Sequence, residues 1–116
     1  MTVEAIRSEL DMIVDAAVSS VPVEAIYLFG SFADGTARED SDIDVYVVVA
    51  DDMEMRDLHA IWAIRKKMVG KQKRGIDLLV GRQGKFDEWK TYFPSIESEI
   101  AEKGLRLYEQ VSRRVG

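Results

Sequence analysis

The chain has 116 residues, of which 47% are apolar, and its formal net charge is −5. This length and apolar content predict a single compact domain over residues 1–116 with one hydrophobic core. The lack of cysteine excludes disulfides, thiolate metal sites and a cysteine nucleophile. The acidic balance argues against a domain that coats duplex nucleic acid, because such a domain needs a basic surface.

Hydropathy gives no sign of a membrane segment. No stretch reaches 18 uncharged apolar residues, and charged side chains interrupt the amphipathic N-terminus. We therefore expect neither a membrane span nor a secretory signal. Together with the lack of cysteine, this pattern favours a cytoplasmic location.

The first half of the chain predicts a helix followed by two strands. Apolar side chains at helical spacing predict a helix over residues 3–19, which Pro22 ends. A short apolar strand over residues 25–29 runs into a glycine-serine turn, and its uniform hydrophobicity predicts a central position. The β-branched run after the next loop predicts a second strand over residues 43–49.

The second half alternates between helices and strands. A helix is predicted over residues 55–69, with Gly70 as its C-cap. Its inner side is assigned to Leu58, Ile61, Trp62, Arg65 and Met68. A third strand over 76–80 is expected to end at Gly81. A short helix within 84–93, a helix from Pro94 to about residue 103, an edge strand over 105–108 and a frayed tail from Ser112 complete the chain.

This order of elements predicts the fold class. Helices alternate with strands, and the connections are short. We therefore expect an α/β domain of the α+β type, in which helices flank a small mixed β-sheet.

The most informative segment runs from Gly30 to Val49. A Gly30-Ser31 turn is suited to holding phosphate, and Asp42 and Asp44 open the second strand. Side chains at positions i and i+2 of a strand point to the same face, so the two carboxylates lie together. Their mutual repulsion is relieved by a hard divalent cation such as Mg²⁺, which also shares phosphate oxygens.

A third carboxylate lies in the next predicted strand. Asp77 interrupts an otherwise apolar run. If this strand neighbours the second strand, Asp77 faces the same site as Asp42 and Asp44. Three carboxylates on adjacent strands can hold two divalent cations for phosphoryl transfer.

With these residues the chain resembles the minimal nucleotidyltransferases of the polymerase-β-like superfamily. Their signature is a strand ending in Gly-Ser, an Asp-x-Asp that opens the next strand and a third Asp on a later strand. Small side chains also occupy the expected spacer positions, at Ala33, Gly35, Ala37 and Ser41. Many members carry a basic residue where this chain has Phe32 or Asp34, and Arg38 is the candidate to replace that charge.

The resemblance implies a polymerase-β-like fold and transfer of a nucleoside monophosphate from a nucleoside triphosphate to an acceptor hydroxyl. It implies that Asp42, Asp44 and Asp77 are the catalytic residues and hold two Mg²⁺ ions, with Mn²⁺ as the alternative. Asp77 would deprotonate or orient the acceptor hydroxyl. The phosphate-binding residues would be Gly30, Ser31, Arg38 and Ser41.

The same resemblance implies a protein partner. Small proteins of this group are commonly antitoxins paired with a HEPN-domain ribonuclease toxin, and transfer of AMP from ATP to a toxin tyrosine silences the toxin. Two alternatives stay open. An antitoxin can neutralise its partner by occlusion without catalysis, or a homo-oligomer can nucleotidylate a small molecule or an RNA end.

The acidic residues also have structural interpretations. Asp42 and Asp44 can form a turn at a strand entrance. Asp40, Asp42 and Asp44 have the first spacings of an EF-hand loop, although a valine replaces its glycine. Asp77 can instead pair with Lys73 or Arg74.

Other conspicuous residues are ordinary in the sequence. The cationic run over residues 65–74 is typical of a solvated helix end. The single histidine, His59, is expected to be packed or at the surface rather than catalytic. Trp62 and Trp89 are assigned to core or interface positions. Three strand aromatics are assigned to the core, with contact to a base as the alternative: Tyr27, Phe29 and Tyr46.

Overall fold

The computed structural model describes residues 1–110, so the fraying expected from Ser112 onward lies outside the described residues. A 3-10 helix at Val3–Ile6 precedes the first α-helix. The further elements, in chain order, are α1 (Arg7–Ser20), β1 (Val23–Phe29), α2 (Ser31–Asp34), β2 (Ile43–Val49), α3 (Asp57–Met68), β3 (Ile76–Arg82), α4 (Gln83–Trp89), α5 (Ile96–Lys103) and β4 (Leu105–Glu109). Within residues 1–110, every helix is too short or too polar to cross a membrane.

The four strands form one mixed sheet in the order β3-β2-β1-β4. β1 is antiparallel to both of its neighbours, β2 and β4. β2 and β3 are parallel, which requires the crossover connection that α3 provides. The predicted mixed sheet, the interior position of β1 and the edge position of β4 are confirmed.

The sheet buries its two faces against different helices. The odd-numbered residues from Ile43 to Val49 pack in the larger core with α1 and α3. Tyr46 packs in a smaller cluster on the other face with Phe86 of α4 and Ile100 of α5. Because strand side chains alternate between faces, Asp44 lies on the same face as Tyr46. The acidic residues are therefore on the α4–α5 side of the sheet.

The predicted inner side of α3 is only partly correct. Met68 is fully buried and Ile61 packs against the core as predicted. Leu58 is 69% exposed and Trp62 is 70% exposed, however, while Ala60 and Ile64, which the prediction left out, are fully buried. Apolar residues occur around most of this helix, so periodicity alone does not select the face that packs. The small Ala60 side chain at the N-terminal end of the buried stripe favours close packing of α3 against its neighbours.

Arg65 and Trp89 are exposed, so neither is a core residue, and only the interface alternative for Trp89 stays open. Arg65 reaches β3, where its Nη2 donates a hydrogen bond to the Ile76 carbonyl oxygen at 2.9 Å. Trp89 is 47% exposed. His59 is exposed on α3, in agreement with the surface alternative.

Gly81 lies inside β3 and does not end it as predicted. A Cβ atom at this position would lie 2.1 Å from the Tyr46 hydroxyl oxygen. That hydroxyl donates a hydrogen bond to Glu97 Oε2 at 3.0 Å, and both residues are buried. Burial, followed by the hydrogen bond to the Glu97 carboxylate, raises the pKa of Tyr46. Glycine is therefore needed to make room for a buried polar pair.

The last helix begins slightly later than the sequence predicts. Pro94 lies outside α5, and Ser95 is its N-cap. The Ser95 hydroxyl accepts a hydrogen bond from the Ser98 N–H at 2.9 Å, and Ser98 Oγ accepts one from the Ser95 N–H at 3.1 Å. This reciprocal pair satisfies two N–H groups that the first turn of a helix leaves free.

The phase of α3 can be tested by paired truncations. Ile64→Ala should lower the free energy of unfolding by about 2–5 kcal/mol, because it leaves a cavity in the core. Leu58→Ala should change it by less than about 0.5 kcal/mol, because that side chain is mostly solvated. Urea denaturation of both variants measures the difference, and equal losses would contradict the observed packing.

Candidate active site

The Gly-Ser turn lies directly at the end of β1. Gly30 has φ 73° and ψ −151°, and the single helical turn α2 begins at Ser31. The first N–H groups of such a turn have no acceptor inside the helix, so they are available to a ligand. A Cβ at Gly30 would lie 2.1 Å from Asp44 Oδ2, so only glycine leaves room for this carboxylate.

A second glycine makes room for the other acid of the motif. Gly75 immediately precedes β3, and a Cβ there would lie 2.2 Å from Asp42 Oδ1. The Ile43 N–H also donates to the Gly75 carbonyl oxygen at 2.9 Å. Gly75 is a site residue that the sequence-based prediction did not include. Its position two residues before Asp77, the lone acid of an apolar strand, was the signal that could have identified it.

The third carboxylate lies beside the second. Asp77 is directly opposite Asp44 in the parallel β2–β3 register, and Phe29 is opposite Asp44 on β1. The condition that Asp77 lies on a strand neighbouring β2 is thus met. Asp77 is exposed, whereas Asp44 is partly buried. The structure therefore brings Asp44 and Asp77 together, with Asp42 two residues earlier on the same strand.

The crowding of these acids changes the titration of Asp44. The pKa of its carboxyl group is raised to about 6, mainly by burial and then by hydrogen bonding to Asp77. The negative charges of Asp77 and Asp42 make the smaller contributions to this increase. Ionisation of the Asp44 carboxyl group is therefore costly, and a nearby cation would stabilise its ionised form.

The donor chemistry of the three acids fits a divalent cation. Carboxylate oxygens are the ligands that Mg²⁺ prefers, and a cation would offset both the burial of Asp44 and the neighbouring negative charges that raise its pKa. Among residues 1–110, no group of three or more acidic, histidine or cysteine side chains is already arranged to hold a metal ion. The site thus supplies suitable donors, but its three acids are not a preassembled ligand set.

Two structural interpretations of the acids are wrong. Arg74, the alternative partner of Asp77, pairs with Glu9 of α1 at 3.3 Å. Asp51, which stands at the last ligand position of an EF-hand loop, accepts a hydrogen bond from the Gly84 N–H at 2.8 Å. Asp44 lies in a strand. The segment is therefore arranged as a strand entrance and not as an EF-hand.

The remaining loop residues mainly form bonds within the loop. The Arg38 N–H donates to Ser41 Oγ at 2.8 Å, so Arg38 and Ser41 lie next to each other in the loop. Because Ser41 Oγ accepts this bond, its own O–H remains able to donate to a phosphate. Asp34 Oδ1 accepts bonds from the Thr36 hydroxyl and N–H at 2.6 and 3.0 Å. These two hydrogen bonds lower the pKa of the Asp34 carboxyl group, and the bond from the Thr36 hydroxyl has the larger effect.

Aromatic side chains fill the same face of the sheet beyond the acids. Tyr27 stacks on Phe86 with ring centroids 5.3 Å apart, and Tyr46 meets Phe86 edge-on at 5.4 Å. The core assignment of Tyr46 is confirmed, whereas Tyr27 and Phe29 are only partly buried against this cluster. The cluster supports the β-strands from which Asp44 and Asp77 project.

Comparison with known proteins identifies a family and a fold. The model of the family described as polymerase beta, nucleotidyltransferase, matches residues 11–112. Protein adenylyltransferase MntA of Shewanella oneidensis is 37% identical over 57 residues. The matched segment is 49% of this chain and only 39% of that protein.

Solved structures show the same architecture. A chain of a toxin-antitoxin crystallised with AMP-PNP has a TM-score of 0.63 and 24% identity, over 87% of this chain and 73% of that chain. A putative nucleotidyltransferase from Sulfolobus solfataricus has a TM-score of 0.60 and 23% identity, over 91% and 87%. At these identities the likeness shows the fold alone. Because the family model spans most of its length, this chain belongs to the polymerase beta nucleotidyltransferase family.

Proposed function

We propose that this nucleotidyltransferase is an antitoxin that transfers AMP from ATP to a tyrosine hydroxyl of a HEPN-type toxin, with Mg²⁺ as cofactor. The observation that carries the proposal is the placement of Asp44 opposite Asp77 and against Gly30. The name of the Shewanella relative, a protein adenylyltransferase, supports AMP transfer to a protein. We place the activity in a single domain over residues 1–116 in the cytoplasm, where ATP is available.

The nucleotide would lie against the Gly30-Ser31 turn. Backbone N–H groups at the start of α2 and the Ser31 hydroxyl can donate to phosphate oxygens. Arg38 and the Ser41 hydroxyl would contact the same phosphates from the neighbouring loop. The solved toxin-antitoxin with AMP-PNP supports an adenine nucleotide as the ligand.

The three acids would supply the metal ligands. Asp42, Asp44 and Asp77 would hold up to two Mg²⁺ ions, with Mn²⁺ as the alternative. When bound, such ions neutralise charge on the phosphates and on the leaving pyrophosphate. No covalent intermediate on the protein is needed, since positioning and charge neutralisation carry phosphoryl-transfer chemistry.

Asp77 is the acid best placed to meet the acceptor. Asp42 and Asp77 are both exposed, whereas Asp44 is partly buried, and Asp77 lies on the edge strand β3. The tyrosine oxygen would form a bond to the α-phosphorus while the bond from that phosphorus to the bridging oxygen breaks and pyrophosphate leaves. Asp77 would accept the phenolic proton or orient the hydroxyl.

Exposed apolar side chains support a protein as the acceptor. Trp62 and Val69 are 70% and 77% exposed. They border a shallow hollow on the outer side of α3 together with Arg65 and Lys66. Clustered apolar exposure of this kind commonly marks a protein interface.

Neutralisation by occlusion is the second candidate. It is favoured by the exposed Trp62 and Val69 side chains, because α3 packs on the face of the sheet opposite the acids. Nucleotidylation of a small molecule or RNA end by a homo-oligomer is the third, supported by the exposed lysines that follow α3. The second candidate differs from the leading proposal because it does not need the acids for neutralisation. The third candidate differs in the molecule that receives the nucleotide.

Removal of the motif acids tests the proposed chemistry. The assay uses α-labelled ATP, MgCl₂ and a HEPN-domain toxin as the acceptor. The double variant Asp42→Asn, Asp44→Asn should reduce labelling of the toxin by at least about a thousandfold. Asp40→Asn, which changes an exposed acid of the same loop, should leave labelling within about twofold of the unmodified protein.

Labelling that survives the double change would exclude the proposed metal-assisted transfer. A double variant that still protects cells from the toxin would favour occlusion. Label that appears on RNA or on a small molecule in place of the protein would favour the third candidate.

A pair of glycine variants tests the close contact between Gly30 and Asp44. Gly35 has left-handed helical angles (φ 84°, ψ 9°), where alanine introduces backbone strain of about 1 kcal/mol, whereas Gly30 (φ 73°, ψ −151°) lies in a region essentially reserved for glycine, so alanine is more strained there. Only at Gly30 does the new Cβ meet a carboxylate, since a Cβ at Gly35 has nothing within 4 Å. Gly30→Ala should lower AMP transfer per folded molecule by about a hundredfold or more, because it displaces Asp44. Gly35→Ala should remain within about threefold, and equal losses in transfer assays would contradict this contact.

The raised pKa of Asp44 predicts a pH-dependent stability. Between the usual value of 3.8 and about 6, the folded protein retains a proton that the unfolded chain has released. Rising pH through this window should therefore lower the free energy of unfolding, and Asp44→Asn should remove that contribution. Carboxyl ¹³C NMR should show the pKa falling when MgCl₂ is added, because the cation stabilises the ionised form. A pKa near 3.8 without metal would contradict the predicted crowding.

A further inference from the structure

We propose that Arg74 is a positioning residue that holds the nucleotide turn (residues 30–32) and the motif loop (residues 35–42) in one fixed arrangement. Arg74 lies just before β3 and contacts three separate segments: α1, the nucleotide turn and the motif loop. None of the proposed steps uses its charge directly. The link to catalysis rests on the proposed function, whereas its effect on the loop does not.

The motif loop is held through its backbone. Arg74 Nη1 donates to the Glu39 carbonyl oxygen at 2.8 Å and to the Ser41 carbonyl oxygen at 3.4 Å. Ser41 directly precedes Asp42, so these bonds set the path of the chain as it enters β2. Carbonyl acceptors make the contact insensitive to the side chains at these loop positions.

The nucleotide turn is held through an aromatic ring. The Arg74 guanidinium carbon lies 5.6 Å from the centroid of the Phe32 ring. Phe32 is 3% exposed and follows Ser31 in α2. A cation over an aromatic face at this distance is attracted to the ring, so Arg74 joins α2 to the loop that carries Asp42.

A buried acid fixes the guanidinium itself. Arg74 Nε donates to Glu9 Oε1 at 3.3 Å, and Glu9 is 8% exposed. The Arg74 side chain is 19% exposed in this pair. Arginine suits the position because its planar fork can bind Glu9 and the loop carbonyls at once, which a lysine ammonium cannot do with the same geometry.

The following residue extends the same arrangement to the acids. Gly75 accepts the Ile43 N–H bond at 2.9 Å and leaves room for the Asp42 carboxylate. Fixing Arg74 therefore also fixes the backbone against which Asp42 lies. Loss of the Arg74 guanidinium should therefore increase the mobility of the nucleotide turn, the motif loop and Asp42 together.

Arg82 provides a matched control within the same chain. Its guanidinium donates to the carbonyl oxygens of Asp51, Met53 and Met55 at 2.9–3.0 Å. It also pairs with Asp57 at 3.5 Å. Arg82 thus holds a loop as Arg74 does, but that loop follows the end of β2, away from Asp42 and Asp44.

Arg74→Lys and Arg82→Lys should be compared in the full chain by two measurements. In hydrogen exchange, Arg74→Lys should speed exchange of the Thr36, Ser41 and Ile43 amides by about tenfold, as expected for loss of charged hydrogen bonds. Arg82→Lys should speed exchange in its own loop, at Met53, and leave those three amides unchanged. In calorimetry with Mn²⁺ and the non-hydrolysable analogue AMPCPP, only Arg74→Lys should weaken binding per folded molecule, again by about tenfold.

Glu9→Gln is the milder variant to use if Arg74→Lys fails to fold. It should accelerate the same three amides by a smaller factor, because the neutral amide still accepts a bond from Arg74. Unchanged exchange at these amides, or equal weakening of binding by Arg82→Lys, would overturn the assignment. If the unmodified protein binds no Mn²⁺–AMPCPP, the proposed function fails, and amide exchange still decides the role of Arg74.

Discussion

The close approach of Asp42, Asp44 and Asp77 is the constraint around which the local structure is organised. The parallel pairing of β2 with β3 places Asp77 opposite Asp44, and burial, followed by the interaction with the neighbouring acids, raises the pKa of Asp44 to about 6. Nothing in the fold of an isolated domain rewards such crowding of like charges. The arrangement is understandable as a site for cations and phosphates, which reverse the sign of the local interaction.

The backbone adapts to these acids through glycine. Gly30 and Gly75 each lie where a Cβ would occupy the position of an Asp44 or Asp42 carboxylate oxygen. Gly81 solves a similar problem farther along the sheet, where the Tyr46 hydroxyl takes the space. Three glycines in or beside the strands thus serve packing of polar groups from β2, which runs through the middle of the sheet.

The two faces of the sheet divide structural support from the candidate site. α1 and α3 cover one face with a large apolar core, while the acids project on the face that α4 and α5 only partly cover. The open portion of that second face, next to Gly30 and Asp77, is where a nucleotide and an acceptor would meet. Arg74 connects the layers, since it binds Glu9 of α1 and the loop that leads to Asp42.

The local sequence predicted an element correctly where its pattern of side chains was compatible with only one structure. The β-branched run after Asp42 predicted β2 with its observed ends, and the two-residue period placed Asp42 and Asp44 on one face. α3 was different, because apolar side chains surround it. Choosing Ala60 and Ile64 over Leu58 and Trp62 for the buried side depends on the shape of the surface that the helix meets.

The amino-acid sequence was sufficient to predict the candidate site residues, namely a glycine-serine turn, an acid pair at strand spacing and a third acid in an apolar strand, together with the alternation that defines the fold class. Which of these groups lie next to each other depends on the tertiary structure. The opposition of Asp44 and Asp77, the glycines that admit the acids and the pairing of Arg74 with Glu9 join residues 14 to 65 positions apart. Such contacts follow from strand order and register, which local propensity does not encode.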